Sequence, residues 1–372
     1  MLMLEQLLSE LVNKKASDLY IAVGLPPTIK VNGKLKSLTD QNLTEGGIYN
    51  LLAEAFETER IAEFKKKKEA NFALNLPDTG RFRVSAFMQK DTPSMVIRHL
   101  KSKIPTFEEL YLPEQLKKTC MAKRGLILFV GATGAGKSTT QAAMIGYRNQ
   151  HASGHILTVE DPIEFVHEHG RSVVTQREVG LDTDSFEEAL RNSLRQAADV
   201  IVQGEIRTYE TLHHAITFAE TGHLCMGTLH ANNANQALDR MLRMVPEETQ
   251  RQFLFDLSIN LTAVIAQHLI PTSDGKGSIA AFEIMLNTPT LEEAIRNGDL
   301  HLLKDIMKVS GTYGMQTFDQ ALLHLYLEGK IGYNEALAHA DSANDLRLRI
   351  KLKAKENGIT SNSEMLSDLH IV

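Results

Sequence analysis

Residues 131–138 read Gly131-Ala132-Thr133-Gly134-Ala135-Gly136-Lys137-Ser138, which satisfies the pattern G-x-x-x-x-G-K-S/T. Small residues let successive backbone N–H groups turn toward phosphate oxygens where a helix begins. In this pattern Lys137 reaches the β- and γ-phosphates, and the Ser138 hydroxyl can ligate Mg²⁺. The context fits, because the apolar run GLILFVG precedes the loop and Ser138-Thr139 open the helix-forming stretch STTQAAMIGY. The chemistry indicated is the binding of a nucleoside triphosphate. A phosphate loop by itself does not separate hydrolysis from phosphoryl transfer or sensing.

Hydrolysis further needs groups that hold the metal and orient water. Two acidic sites follow strand-like runs: Glu160-Asp161-Pro162-Ile163-Glu164 after HILTV, and Glu205 after DVIVQG. Open α/β sheets bind ligands at the C-terminal ends of their strands, so both can converge on the phosphates. Pro162 projects the first acidic segment as a loop. The plain alternative is that these are surface carboxylates closing loops. His223 and His230 bracket the run GHLCMGTLH, where a strand-end histidine can touch a γ-phosphate or serve only structure. His167 with His169, or His213 with His214, does not make a clean metal-ligand set. The stretch ADVIVQGEIR raises its own question, since a P-loop ATPase usually ends its metal-binding strand in an aspartate and this one offers Gln203-Gly204-Glu205.

The elements that must position these groups begin near residue 124. GLILFVG, HILTVE, DVIVQG and HLCMGTL are short continuous apolar runs separated by helical segments, the pattern of a buried parallel sheet. In DTDSFEEALRNSLRQ, Asp184 is placed to cap a helix, with Glu187 three residues on. Beyond His268 a hairpin is expected around Asp274-Gly275-Lys276-Gly277, followed by short helices.

The first hundred residues read differently. MLMLEQLLSELVNKK is an amphipathic helix with Leu4, Leu7, Leu8, Leu11 and Val12 on one face. Short strands follow around Asn32-Gly33, a strong hairpin signal, then two helices over residues 44–68. NFALNLPDTGRFRVSAFMQKDTPSMVIRHL gives three strands joined at Pro77-Asp78-Thr79-Gly80 and Lys90-Asp91-Thr92-Pro93. Alternation in RFRVSAFMQ puts Phe82, Val84, Ala86 and Met88 on one face, and Arg81, Arg83 and Ser85 on the other. That second face is either a solvated strand surface or a pair of guanidiniums offered to a ligand. KSKIPTFEELYLPEQLK, with two prolines, reads as a linker. The domains expected are residues 1–100, a linker over 101–123, an ATPase core over 124–286 and a helical region over 287–372.

The chain of 372 residues is long enough for roughly two or three domains. Forty basic against 46 acidic residues leave a formal charge of −6, which disfavours a phosphate-gripping surface for nucleic acid. Lys65-Lys66-Lys67-Lys68 reads as a solvated helix face. No apolar run approaches the roughly 20 residues of a membrane helix. The leading residues lack a signal-peptide pattern, and Cys120 and Cys225 are too few for a disulfide framework. A cytoplasmic protein, meeting a membrane only through partners, is the expectation.

In order along the chain, GATGAGKSTT, ILTVEDPIEFVH, TQREVGLDT, GEIR, AETGHL and GTLHANNA resemble the Walker A, Asp box, Walker B and His box of the secretion superfamily ATPases. They are most similar to type IV pilus retraction ATPases of the PilT/PilU kind. Its C-terminal part keeps only Ala294-Ile295-Arg296-Asn297 of the AIRNLIRE-like helix, and GMQTFDQALLHLY and HADSANDLRLRIKLK look like the PilU branch. The resemblance implies a small PAS-like α+β domain, then a RecA-like P-loop ATPase domain of α/β class with a helical extension. It implies ATP and Mg²⁺ at Gly131 through Thr139, metal ligation by Ser138 and Glu205, and Glu164 as the carboxylate that orients water. His223 and His230 would be the His-box residues. Arg81, Arg83 and Arg98 would reach nucleotide held by another subunit. Implied partners are its own copies in a hexameric ring, a PilT-type retraction ATPase and an inner-membrane pilus platform protein.

The chain departs from the family's Leu-Arg-Glu-Asp-Pro-Asp at Leu194-Arg195-Gln196-Ala197-Ala198-Asp199, has a polar Gln203, and carries Thr208 where PilT-like chains have Asp. The expected function is an accessory retraction motor. A PilT-type primary motor and a weakly hydrolysing ATP-binding subunit stand as alternatives, ahead of a nucleic-acid translocase or a small-molecule kinase.

Overall fold

Leu4, Leu7, Leu8 and Leu11 recur at helical spacing, and helix α1 (Leu4–Asn13) buries all four. The computed structural model describes residues 3–31, 33–56, 58–77, 79–100 and 103–356. By contacts the chain divides into two units, Met1–Ile104 with Glu164–Val166, and Pro105–Ile163 with His167–Val372.

In the first unit an antiparallel sheet runs in the order β3-β2-β1-β6-β5-β4. Its strands are β1 (Asp18–Ala22), β2 (Thr28–Val31), β3 (Lys34–Ser37), β4 (Glu69–Leu76), β5 (Gly80–Gln89) and β6 (Thr92–Leu100). Helices α2 (Glu45–Ala55) and α3 (Thr58–Lys67) lie between β3 and β4 in the chain. The hairpin expected at Asn32-Gly33 joins β2 to β3, although Asn32 lies outside the described residues, as does Asp78 of the next turn. Lys90 and Asp91 have φ of 48° and 58°, as a two-residue turn between right-twisted strands requires. Phe82, Val84 and Ala86 of β5 are buried with Ile21, Ile29, Leu52 and Ile97 in one core, and Arg81 and Arg83 are half-exposed on the other face.

The second unit is built on a seven-stranded sheet in the order β13-β12-β7-β11-β10-β8-β9. Its strands are β7 (Gly125–Val130), β8 (Gly154–Glu160), β9 (Ser172–Glu178), β10 (Val200–Gln203), β11 (Leu224–Leu229), β12 (Leu261–Pro271) and β13 (Ser278–Leu286). All pairings are parallel except β12 with β13, the expected hairpin. Every residue of β7 is buried, which is why the run is apolar without alternation. Leu126, Leu128 and Val130 feed the core on one face of the sheet, and Ile127 and Phe129 feed that on the other.

Residues 105–123 are not a linker. Phe107, Leu112, Leu116 and Cys120 are buried against Ile127, Phe129 and Met144, and Gln115–Cys120 form helix α4. Burying each large side chain contributes roughly 1.5–3 kcal/mol, more than a free connection would forgo. Burial also pushes the Cys120 thiol up to about 12, and Cys225 upward, so both behave as small apolar groups.

Helices α5 (Lys137–His151), α6 (Phe186–Ser193), α7 (Tyr209–Glu220), α8 (Ala234–Met244) and α9 (Gln250–Asn260) complete the layers. Ser185, not Asp184, caps α6: it is extended, and its hydroxyl accepts from Glu188 N at 3.1 Å. The two residues are adjacent and both are good caps, so only the backbone geometry selects between them. After β13 come α10 (Pro289–Asn297), α11 (Leu303–Val309), α12 (Phe318–Leu327), α13 (Tyr333–Ala338) and α14 (Ala343–Glu356). Leu291, Leu303, Phe318, Leu346 and Ile350 share one buried cluster with the sheet, so this region is not a detached appendage. Among the described residues no helix is long and apolar enough to cross a membrane.

Candidate nucleotide site

The loop after β7 leads directly into α5, whose N-cap is Gly136 at φ 89° with no side chain capping it. The N–H groups of that first turn are therefore open to an external acceptor. Ala132, Thr133 and Gly134 are exposed, while Lys137 is 9% exposed. A Cβ on Gly131 would lie 2.7 Å from the Gln267 carbonyl oxygen, and one on Gly136 would lie 2.7 Å from Gln267 Nε2. Only glycine lets the loop approach β12 this closely. Gln267 also accepts from Thr140 Oγ1 at 2.7 Å, locking the start of α5 to β12. Nothing in the sequence pattern singles out Gln267, because its role is set by its pairing across the sheet.

Lys137 Nζ donates to the Gly131 and Ala132 carbonyls at 2.7 and 2.9 Å, so its ammonium is held inside the curl of the loop. That cradle, with glycine at both tight points and uncapped N–H groups, fits a nucleotide's phosphates with a divalent cation.

Parallel pairing brings the ends of β11, β10 and β8 to the same edge as this loop. Glu205 lies just beyond β10, with Arg207 Nη2 at 2.6 Å and His230 Nε2 at 3.3 Å. Burial pushes its carboxyl up, but the Arg207 hydrogen bond and the charges of Arg207, His230 and Lys137 outweigh that and hold it below the usual carboxylate range. Glu205 is thus ionised at neutral pH, the state a metal ligand needs.

Gln203 is fully buried, and its Nε2 donates to the Thr211 carbonyl at 3.1 Å. It ties the strand to α7 and removes no group from the phosphate edge. Thr208 caps α7 in a capping box with Thr211, so it serves the helix as an Asp there would. Ala197 takes φ 51°, a left-handed conformation that costs an alanine roughly 1–2 kcal/mol.

His223 does not join this edge within the chain. It precedes β11, beside Gly125, and bonds Thr221 Oγ1 through Nδ1 at 3.0 Å. Six extended residues, about 20 Å, separate it from His230. The two histidines of the motif lie at opposite ends of one strand.

The acidic segment after β8 is held from β8 and β9. Glu160 accepts from Thr158 Oγ1 at 2.6 Å and from Gln176 Nε2 at 3.1 Å. Gln176 Oε1 accepts from His167 N at 2.7 Å, and Glu178 accepts from Ile163 N at 3.1 Å. Gln176 and Glu178 of TQRE thus clamp the loop from β9. Glu164 itself falls with the first unit. In that unit Arg83 stands directly across from Arg98, and Arg98 Nε pairs with Asp18 Oδ1 at 2.8 Å. Arg81 stands across from Leu100. Among the described residues no group of three or more His, Cys, Asp or Glu is placed to hold a metal ion.

Behind His230, residues 231–235 are tied to β12 and β13. Glu283 is 2% exposed and accepts from Ala234 N at 2.8 Å. Burial pushes its carboxyl up to about 7, against the pull of that N–H. A carboxyl raised in the folded state stabilises the fold fully below its unfolded value of about 4.5, and that contribution is lost as pH rises to about 7. Glu283→Gln removes the titration. The variant's unfolding free energy, from urea melts at pH 4.5 and 7, is expected to fall by about 3 kcal/mol less than that of the wild type over this interval.

The family described as Type II/IV secretion system protein matches residues 1–321. The chain is 54% identical over 365 residues to the type IV pilus ATPase PilU of Pseudomonas aeruginosa, covering 98% of this chain and 94% of that one. It is 40% identical over 331 residues to the type IV pilus retraction ATPase PilT of the same organism, covering 89% and 96%. The crystal structure of the pilus retraction motor PilT with bound ADP superposes with a TM-score of 0.87 at 36% identity, covering 93% of this chain and 99% of that one.

Proposed function

This chain belongs to the Type II/IV secretion system protein family, and from that premise we propose that it is a PilU-like accessory motor of type IV pilus retraction, working as a homo-hexamer on the inner face of the cytoplasmic membrane. It is an ATPase, and its whole-length likeness to PilU and PilT supports pilus retraction as the work done. The observation that carries the reading is Glu205 between Arg207 and His230, at the same sheet edge as the Lys137 loop. A PilT-type ATPase and an inner-membrane pilus platform protein are the partners proposed with it.

In this reading backbone N–H groups of Gly131 through Thr139 and the Lys137 ammonium bind the phosphates. Ser138 and Glu205 hold Mg²⁺, which supplies charge neutralisation at the transferred phosphoryl group. His230 stands beside Glu205 to meet the terminal phosphate. Glu164 orients water, and Arg81, Arg83 and Arg98 act on nucleotide held by a neighbouring subunit.

Glu160 is the competing carboxylate, favoured by its fixed position at the end of β8. Phosphate release from purified protein separates them. Glu164→Ala is expected to lower kcat about 100-fold, with Glu160→Ala costing less. Near-normal turnover by Glu164→Ala with loss in Glu160→Ala would transfer the role. Motility of strains carrying this ATPase, a PilT-type ATPase or both tests the accessory assignment. Retraction by this chain alone would overturn it.

A further inference from the structure

Four hydrogen bonds clip residues 230–235 from behind. Arg240 Nη1 donates to the His230 carbonyl at 2.8 Å, and His268 Nε2 donates to the Asn232 carbonyl at 3.2 Å. Ala234 N donates to Glu283 Oε1 at 2.8 Å, and Asn235 Nδ2 donates to the Leu300 carbonyl at 2.8 Å. Leu300 belongs to the helical region, so one clip is already a direct tie to it.

The other two strand residues reach the same region through one point. The His268 ring stacks on Phe318, with centroids 4.3 Å apart and planes 21° from parallel. The Phe318 backbone is also one of the groups that draw the Glu283 carboxyl down against its burial. Phe318 begins α12, and the residues just before it are fixed. Gln316 exchanges backbone hydrogen bonds with Ile284 at 2.8 and 3.1 Å, and Thr317 caps the helix in a capping box with Gln320. Around this point Lys304 pairs with Asp341 at 2.6 Å, and Asp319 accepts from Asp341 N at 2.8 Å. A displacement of the start of α12 therefore reaches Asn232 through the His268 ring stacked on Phe318, and Ala234 through buried Glu283, whose strand neighbour Ile284 is bonded to Gln316.

We infer that Glu283 and His268 are positioning residues for His230, through which the C-terminal helices set the geometry of the ATPase edge. Each acts on the backbone that carries His230, whose Nε2 stands 3.3 Å from Glu205. The inference rests on His230 acting with Glu205 in turnover. It gives the C-terminal region a route to the chemistry that needs no contact with nucleotide.

A double-mutant cycle on the full-length chain tests it. His268→Phe keeps the ring on Phe318 and loses only the N–H donor, whereas Glu283→Ala removes the acceptor for Ala234. Each is expected to lower kcat about tenfold by misplacing His230, with the KM for ATP within about twofold of wild type. In a His230→Ala background neither should lower kcat further, because the group they position is gone. Glu283→Gln, which retains an acceptor oxygen, should recover activity to within about threefold of wild type. If the losses multiply in the His230→Ala background, or fall on KM, the positioning role is wrong. If His230→Ala alone turns over like wild type, the assignment of His230 fails instead. Should Glu283→Ala not fold, His268→Phe carries the cycle.

Discussion

Lys137→Ala is expected to lower ATP turnover at least about 100-fold, a loss of about 3 kcal/mol of transition-state stabilisation. The ammonium is the positive charge inside the loop, held by the Gly131 and Ala132 carbonyls. Alanine opens a helix as readily as lysine, and the segment is anchored independently by the Thr140–Gln267 bond. The variant should therefore melt close to wild type while phosphate release is lost. Turnover within tenfold of wild type, with the fold intact, would mean that hydrolysis does not use this loop.

Glu205→Ala should cost a similar factor, for a different reason. The carboxylate is the negative partner of Arg207 and His230 and lies near Lys137. Its removal leaves those positive groups beside the phosphates, so nucleotide binding without Mg²⁺ should hold or strengthen, while the Mg²⁺ dependence of kcat weakens. Titrating turnover against Mg²⁺ and measuring ATP affinity in EDTA separates these effects. A Glu205→Ala protein with the wild-type Mg²⁺ midpoint would remove this residue from the metal site.

Much of this was legible beforehand because it depends on short-range rules. The spacing from Gly131 to Ser138 dictates a loop that only a strand-to-helix turn can carry, and apolar runs such as GLILFVG have no use except on a strand buried on both faces. The alternation in β5 showed which side chains enter the core. Two prolines made residues 101–123 resemble a linker, and periodicity could not reveal a six-residue helix whose burial depends on β7 and α5. The choice between Asp184 and Ser185 was one residue of register, below what propensity resolves.

Residue order alone therefore determined which chemistry is present: a phosphate loop, a strand-end glutamate, a strand-end histidine and the sheet to carry them. The tertiary structure decided which of these meet. It brought His230 to Glu205 and left His223 at the far end of the same strand, since an extended strand separates its ends whatever motif they share. It also made Gln267, Gln176 and Glu283 part of the site's support, each through a partner at least nine residues away in the chain. Contacts of that kind follow from strand order and register, which a local pattern does not encode.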